Sequence, residues 1–540
     1  MSGGRLLRST TVFSAMTFIS RVSGLVRDQV YATVFGANPA MDAFIAAFRI
    51  PNFMRRLSAE GSFSMAFVPV LAEYKQKHGQ EAVRELVDRV TGALMAALLV
   101  VTAGFLLLAP WLARVIVPGF EPGGESAALF VEMLRITFPY ALFISLASLA
   151  GGILNSYQRF AIPALSPVLM NLAMISAALV AGEWFGGSVK VLAWGVFAAG
   201  ILQLGFQLPA LARLGLLPRP RLDLAHAGVR RIMTLMVPTL FGSSVVQFNL
   251  LFNTMAASML IGGSMTWLYY SDRLLEFPLG MFGVAIGTVI LPHLSGRHAA
   301  TDPEGFSKGL DWGFRLCLLI GLPACAGLIL CAQPLLATLF QYGEFGETDM
   351  RMSSWSLIAQ STAVPAFLLV KVLAPAFYSR QDTRTPVKAA VVSVAVNALC
   401  IVLFFAGLLW LTEAGREAWA ASGGDVRAAL KAMDGGGHAL LALAIAIAGW
   451  VNAAQLAWYL RHAGVYRRQP GWGRFLRQVG LATLLMAGVV VALRWYWPEW
   501  TPWAWWQRGW RLAVMVGAGG AVYGALLWLQ GIRPRDLRGH

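Results

Sequence analysis

Charged residues stand inside long apolar runs of this chain, and their types favour holding an anion. The stretch FISRVSGLVRDQVYATVFGANPAMDAFIAAFRIPNFMRRLSAEGSFSMAFVPVLAEY contains Arg21, Arg27, Asp28, Asp42, Arg49, Arg55, Arg56 and Glu60. A second, MTWLYYSDRLLEFPLGMFG, contains Asp272, Arg273 and Glu276, and Lys371 lies in a third. One Arg, Lys or Asp at the centre of a spanning helix costs roughly 2.5–3.5 kcal/mol. Several such costs in one chain predict a polar, water-accessible cavity inside a helix bundle. Cations outnumber carboxylates in these runs, and guanidinium binds phosphate oxygens bidentately. The predicted ligand therefore carries phosphate. Internal pairing, of Arg21 with Asp28 and of Arg273 with Asp272 or Glu276, is the competing expectation at any one residue.

The elements that must position these groups are helices. At 1.5 Å per residue, Arg21 lies roughly 16 Å into the first helix, near the midplane. Asp28 is about 20° away on the same face, and Arg27 about 120° round from Arg21. Asp42, Arg49 and Arg56 fall on one line at seven-residue steps, with Arg55 about 100° off it. Pro51 predicts a kink between them, and spacing leaves open whether Arg55 or Arg56 faces the cavity. Asp272, Arg273 and Glu276 lie roughly 12–18 Å below the outer end of their helix, at matching depth.

Composition makes the whole chain membranous. It has 540 residues, 57% hydrophobic and 13% charged, with mean hydropathy +0.62. A soluble protein would carry about 25% charged residues. Apolar segments of spanning length recur at 10–35, 40–73, 90–118, 128–154, 161–182, 188–212, 229–260, 265–294, 311–340, 353–377, 386–411, 438–461, 475–497 and 510–531. That predicts an all-α polytopic membrane protein of about fourteen transmembrane helices. The net charge of +16 is concentrated in alternate loops, among them those with Lys75, Arg84, Arg219, Arg230, Arg380, Lys388, Arg467 and Arg474. The positive-inside rule puts these loops and both termini in the cytoplasm. The basic excess is thus a topology signal, and no nucleic-acid partner is expected. Cys317, Cys325, Cys331 and Cys400 lack ligand-like spacing and read as small buried hydrophobes. The seven histidines show no metal spacing and read as solvated or interfacial, so neither metal nor cofactor is expected. A cleavable signal peptide is not expected, because no A-x-A-like site follows the basic start.

An internal repeat recurs at one offset. Val68-Pro69 matches Leu291-Pro292, and NSYQRFAIPALSPV matches YSRQDTRTPVKAAV, with Gln158 on Gln381 and Pro163 on Pro386; each pair is 223 residues apart. Six helices separate equivalent points, so both halves insert alike. This predicts two six-helix lobes related by a parallel pseudo-two-fold, with a binding site at the repeat interface. Two further helices follow. The predicted boundaries are 1–222, 223–465 and 466–540. Between the last two helices, RWYWPEWTPWAWWQRGW reads as an interfacial tryptophan belt. The final helix carries GAGGAVYG, whose small residues permit close approach of a helix or a lipid tail.

The motifs SRVSGLVRD, MDAFIAAFRIPNFMRRLSAEGSFSMAFVPVLAEYK, FPYALFISLASLAGGILNSYQRFAIPALSPVLMN, YYSDRLLEFPLG and LAPAFYSRQDTRTPVK resemble the MurJ (MviN) family, lipid II flippases of the MOP exporter superfamily. The resemblance runs from about residue 5 to the C-terminus. It implies two lobes of six helices, and two more helices forming a groove for the lipid tail. It also implies alternating access that carries lipid II from the inner to the outer leaflet of the cytoplasmic membrane, without ATP hydrolysis, for cell-wall synthesis. The chain is then a transporter, not an enzyme, working as a monomer among membrane lipids, with cell-wall synthesis enzymes as partners. The family's required arginines fall on Arg21, Arg27, Arg55 and Arg273, and its acidic positions on Asp42 and Asp272. With Asp28, Glu276 and Lys371 these make up the expected substrate-binding set. Two features depart from the family. The outer loop 412–437 is longer than usual. The seventh helix, 229–260, has no Asp or Glu, so the sodium site of some relatives is not expected. The alternative is a MOP-superfamily exporter of a drug or another lipid-linked oligosaccharide, which would need fewer cations and more carboxylates or aromatics. A membrane-embedded transferase would need a carboxylate pair or metal site, and a scaffold would not need midplane arginines.

Overall fold

A chain that crosses hydrocarbon must satisfy every backbone polar group internally, which leaves helices for a sequence of this apolar run length. The computed structural model describes residues 3–58, 62–300, 302–433 and 436–533, and these form helices joined by short turns. Glu60 lies outside the described residues. Contacts divide the chain into two compact units, 1–263 with 342–344, and 264–341 with 345–540.

The first unit holds α1 (Gly3–Phe35), α2 (Pro39–Ser58), α3 (Ser62–Lys77), α4 (Gly79–Ile116), α5 (Glu125–Thr137), α6 (Tyr140–Ser156), α7 (Ala161–Phe185), α8 (Lys190–Arg213) and α9 (Ala227–Ser258). Helix α7 packs on both α1 and α8, α2 on α5, and α3 on α9. Lipid supplies no hydrophobic drive between helices, so close packing through small residues does the work. Gly195 of α8 lies against Ala177 and Met174, and Gly200 against Tyr140 and Phe143. Phe67, Leu71, Leu86, Ile153, Leu154 and Leu211 form a core where α3, α4, α6 and α8 meet. The segment 342–344 joins this unit through backbone contact: Glu344 N–H donates to Thr33 O at 3.0 Å. Gly36 and Gly343 both adopt positive φ here, at 64° and 56°, and a Cβ on either would strike the opposing backbone. Only glycine meets both demands.

The second unit holds α10 (Ser264–Pro278), a π-turn (Leu279–Gly283), α11 (Val284–Ala299), α12 (Pro303–Leu330), α13 (Ala332–Leu339), α14 (Glu347–Ser361), α15 (Val364–Tyr378), α16 (Arg384–Leu411), α17 (Glu413–Ala421), α18 (Val426–Ala432), α19 (Gly437–His462), α20 (Trp472–Tyr496) and α21 (Trp505–Leu529). Its core joins Leu310 and Phe314 of α12 to Val372 and Leu373 of α15 and Leu456 and Leu460 of α19. Helices α20 and α21 pack on each other, and α20 on α12.

Each of the fourteen apolar stretches is helical. Among the described residues, nine helices are long and apolar enough to span, or ten if α14 and α15, bent by 44°, form one span. The count of fourteen therefore goes beyond what length and apolarity alone support. Several stretches are broken rather than continuous, among them the eighth at the π-turn and the ninth at Cys331. In the loop 412–437 the described residues form the α17–α18 hairpin laid back on α16, with Trp410 and Trp419 rings 5.7 Å apart. Cys317 and Cys331 are buried, and all four cysteines are free thiols. His438 departs from the solvated reading: it is buried, and its Nδ1 lies 2.7 Å from Ser356 Oγ. The start of α19 packs against α14, which removes that ring from solvent.

The repeat anchors fold alike. Gln158 and Gln381 both have φ of 60°, and no other non-glycine does among the described residues. Gln158 N–H donates to Asn155 O and Arg159 N–H to Leu154 O; Gln381 N–H donates to Tyr378 O and Asp382 N–H to Phe377 O. A left-handed residue costs roughly 1–2 kcal/mol outside glycine. Finding it twice, 223 residues apart, marks one turn used in both units.

Candidate functional site

In the first unit, α1 places Arg27 and Asp28 side by side and buries both. Nε and Nη2 of Arg27 donate to Asp28 Oδ1 at 3.0 and 2.7 Å. Its Nη1 donates to Asn171 Oδ1 of α7 at 3.1 Å, and its Cζ lies 5.7 Å from the Tyr31 ring centroid. Asn171 in turn donates to Ser23 Oγ at 2.8 Å and Ser20 O at 3.1 Å. The carboxylate that helical angles placed on Arg21's face is thus paired with its sequence neighbour Arg27. Arg21 itself is exposed, one and a half turns earlier on α1.

Helix α2 carries the remaining groups of this unit. Asp42, in its first turn, is buried and accepts from Gly263 N–H at 2.7 Å. A carboxylate at a helix N-terminus is also favoured by the helix dipole. Arg49 Nη1 donates to Thr254 Oγ1 of α9 at 2.7 Å. Arg55 Nε donates to Asn52 Oδ1 at 2.8 Å. Arg56 is half-buried and makes no hydrogen bond or ion pair with the described residues.

In the second unit, α10 carries Asp272, Arg273 and Glu276. Asp272 accepts from Gln360 Nε2 of α14 at 2.8 Å. Arg273 Nη1 pairs with Glu276 Oε2 at 3.2 Å. Its Nε and Nη2 donate to Tyr269 Oη at 3.3 and 3.2 Å, and its Cζ stands 5.1 Å from the Tyr269 ring centroid. Glu276 is 60% exposed, so that pair is weak in water. Lys371 of α15 stands over the π-turn, its Cγ in contact with the position a Cβ on Gly283 would take. It has no polar partner among the described residues. A π-turn inside a helix often marks a functional position.

The structure therefore gathers the expected residues into clusters within each unit: Arg27 with Asp28, Arg55 with Asn52, and Arg273 with Glu276. The polar residues that hold them were not singled out from sequence. Asn171 is an isolated amide in an apolar helix, and that isolation is the signal that could have found it; Gln360, Asn52 and Thr254 have polar neighbours in sequence and carry no such signal. Chemically, Arg55 and Arg273 offer guanidinium groups whose partners here are in part neutral amide and phenol oxygens. A phosphate offers two anionic oxygens to the planar guanidinium fork, which a single amide or phenol oxygen cannot, so phosphate would compete well with those partners. Arg27, forked onto a buried carboxylate, is held most firmly.

Comparison with known proteins fits this arrangement. The family model for the lipid II flippase MurJ matches residues 31–411. A MurJ homologue of Vibrio cholerae serotype O1 is 41% identical, covering 99% of this chain and 98% of that protein. The lipid II flippase MurJ of Burkholderia cenocepacia is 38% identical, with 98% of each chain covered. Among solved structures, a lipid II flippase MurJ described as inward closed superposes with a TM-score of 0.77 at 23% identity, over 98% of this chain and 99% of that one. An inward-facing multidrug-resistance MATE transporter of the MOP superfamily superposes at 0.64 and 14% identity, over 84% and 98%. These two likenesses carry the fold, an all-helical transporter architecture. The sequence match over nearly the whole length carries the family, and this chain belongs to the MurJ family of lipid II flippases.

Proposed function

We propose that this protein carries lipid II from the inner to the outer leaflet of the bacterial cytoplasmic membrane, by alternating access, for peptidoglycan synthesis. Full-length membership of the MurJ family is the observation that carries the reading. The substrate is an undecaprenyl-pyrophosphate-linked disaccharide peptide. Its pyrophosphate cannot cross hydrocarbon unpaired, because an isolated ion there loses its hydration at prohibitive cost. Arg21, Arg27 and Arg55 in the first unit and Arg273 in the second supply replacement hydrogen bonds, with Lys371 as a further cation. Asp28, Asp42, Asp272 and Glu276 orient these helices and cations. Cations set within apolar helices of each unit support this assignment.

The polyprenyl tail lies along the Gly520–Gly524 face of α21. No atom approaches within 4 Å of a Cβ built on either glycine, whereas Gly519 packs on Val490 and Met486. Both termini and the basic loops face the cytoplasm. The chain works as a monomer, since a single chain carries both units, and it delivers substrate to cell-wall synthesis enzymes.

The test is complementation of a strain depleted of its own lipid II flippase, with lipid II measured at the outer leaflet. Growth with restored outer-leaflet lipid II is expected. Replacing both Gly520 and Gly524 by Leu should reduce that signal at unchanged protein abundance. Failure of the unaltered protein to restore outer-leaflet lipid II while present in the membrane would overturn the reading.

A further inference from the structure

At the basic end of the second unit, α12, α20 and the chain leaving α21 enclose a cavity of about 270 Å³. Its floor is apolar: Leu316, Leu319, Phe475 and Ile532. Among the described residues two cations line it, Arg315 and Arg474, and no carboxylate does.

The two arginines differ in their commitments. Arg315 Nε donates to the buried Asp311 at 2.8 Å and its Nη2 to Pro470 O at 2.8 Å. Its Cζ lies 5.3 and 5.6 Å from the Trp472 and Phe475 rings. That leaves Nη1 without a partner among the described residues. Arg474, in the first turn of α20, is exposed and makes no hydrogen bond or ion pair with the described residues. Arg468, whose Cζ stacks 5.7 Å from the Trp472 ring, and Arg477 add positive charge nearby. Among the described residues Asp311 is the carboxylate that opposes them, and it is already occupied by Arg315, Tyr466 and Trp472.

The helices that frame the cavity are apolar spans. Only 22% of the apolar window of α20 and 17% of that of α21 is buried, so their remaining surface meets lipid. A pocket with an apolar floor, a cationic rim and an uncommitted guanidinium at the end of two lipid-facing helices matches one class of ligand. Basic pockets between spanning helices recognise anionic lipid headgroups. We infer that this cavity binds one anionic phospholipid of the surrounding membrane, its phosphate on Arg474 and Arg315 Nη1 and the start of an acyl chain on Leu316, Leu319 and Phe475. The site is separate from the tail face proposed above. Gly520 lies twelve residues before Ile532, roughly 18 Å away at a helical rise.

The test uses the purified full-length protein and native mass spectrometry, with phosphatidylglycerol, phosphatidylethanolamine and inorganic phosphate as probes. The unaltered protein should retain one phosphatidylglycerol more than Arg474→Glu does, with apparent affinity reduced roughly tenfold in the variant. Arg474→Lys should retain the lipid. Arg461→Glu, on the same basic end but outside the cavity, should also retain it. Phosphatidylethanolamine should bind weakly, and excess inorganic phosphate should not displace phosphatidylglycerol. Leu316→Trp, which fills the floor, should lose the lipid with Arg474 intact. Equal retention by Arg474→Glu and the unaltered protein would overturn the inference. So would equal binding of the two lipids, or displacement by inorganic phosphate, which would make the ligand a free anion. No lipid II is present in this assay, so its outcome is independent of the transport reading.

Discussion

The arginines divide by what holds them. Asp28 is 2% exposed, so Arg27→Ala removes the forked partner of a buried carboxylate, and breaking a buried ion pair costs about 3–5 kcal/mol. Arg27→Ala is expected to lower both the unfolding temperature in detergent and lipid II delivery. Arg55→Ala and Arg273→Ala, whose partners are amide, phenol and an exposed carboxylate, should reduce delivery with little change in unfolding, as should Arg21→Ala. Lys at these positions should restore activity only in part, since an ammonium lacks the planar fork. Arg56→Ala should be milder than Arg55→Ala. Wild-type delivery by all four alanine variants at normal abundance would remove the arginines from the mechanism. An unchanged melt for Arg27→Ala would remove the ion pair from the stability account. The sequence made these charges visible by their cost in hydrocarbon. It left open which carboxylate pairs with which guanidinium, because several lie within reach on the same helix and side-chain direction depends on what packs alongside.

Among the elements, two buried carboxylates stand out as latches. Asp88 of α4 accepts from Arg219 N–H at 2.7 Å, and its carbonyl accepts from Arg221 N–H at 3.0 Å. Together they fasten the α8–α9 connection. Asp311 of α12 fastens the α19–α20 connection, accepting from Tyr466 Oη at 2.8 Å, Trp472 Nε1 at 2.7 Å and Arg315 Nε at 2.8 Å. Burial and the bond to Asp311 both push the Tyr466 hydroxyl pKa up. The two aspartates lie 223 residues apart, the repeat offset again. The sequence showed that offset in linkers but not here, where Asp88 and Asp311 are each one charge among several near the start of a helix. Hydrogen bonds to a charged group are worth roughly 1.5–3 kcal/mol. Asp311→Asn should therefore speed limited proteolysis within residues 463–471, and Asp88→Asn within 214–226. Unchanged cleavage rates would refute the latches. A third carboxylate gives a pH effect. Asp382, at the start of α16, accepts from the N–H of Arg384 and Thr385, both at 3.0 Å, and from Thr385 Oγ1 at 2.6 Å. Burial raises its pKa, but these hydrogen bonds outweigh it and hold the carboxyl below the usual range. Its stabilising contribution is therefore present above the ordinary carboxylate pKa and is lost as pH falls through the depressed one. Unfolding temperature should fall more between pH 7 and pH 3 for the unaltered protein than for Asp382→Asn. Parallel falls would dismiss the linkage.

For the molecule as a whole, the basic loops predict an orientation that can be read with impermeant thiol reagents. In a background without native cysteines, Thr383→Cys and Ala463→Cys should resist labelling in intact cells, and Ala421→Cys in the α17–α18 hairpin should label. The opposite pattern would invert the topology. The spans that pass by length and hydropathy among the described residues number nine or ten. The arginine-bearing helices α1 and α2 are not among them, because the charges that suggest a site also lower the apolar average, and α10, with 15 residues, is too short by itself.

The sequence by itself determined the helical, membrane-spanning class, the repeat offset and the positions of the charged groups. All three are local or periodic properties: hydropathy over about 20 residues, a helical period, and the cost of a charge in hydrocarbon. Tertiary structure alone decided the partners that come from other helices. Arg27 meets Asn171 across 144 residues and Asp272 meets Gln360 across 88, and no window of sequence contains both. It also decided where the spans break, since the π-turn after Pro278 and the bend between α14 and α15 depend on what packs alongside. His438 illustrates the limit most simply. A histidine at the start of a helix reads as solvated, and only the packing of α14 and Trp267 against it makes it buried.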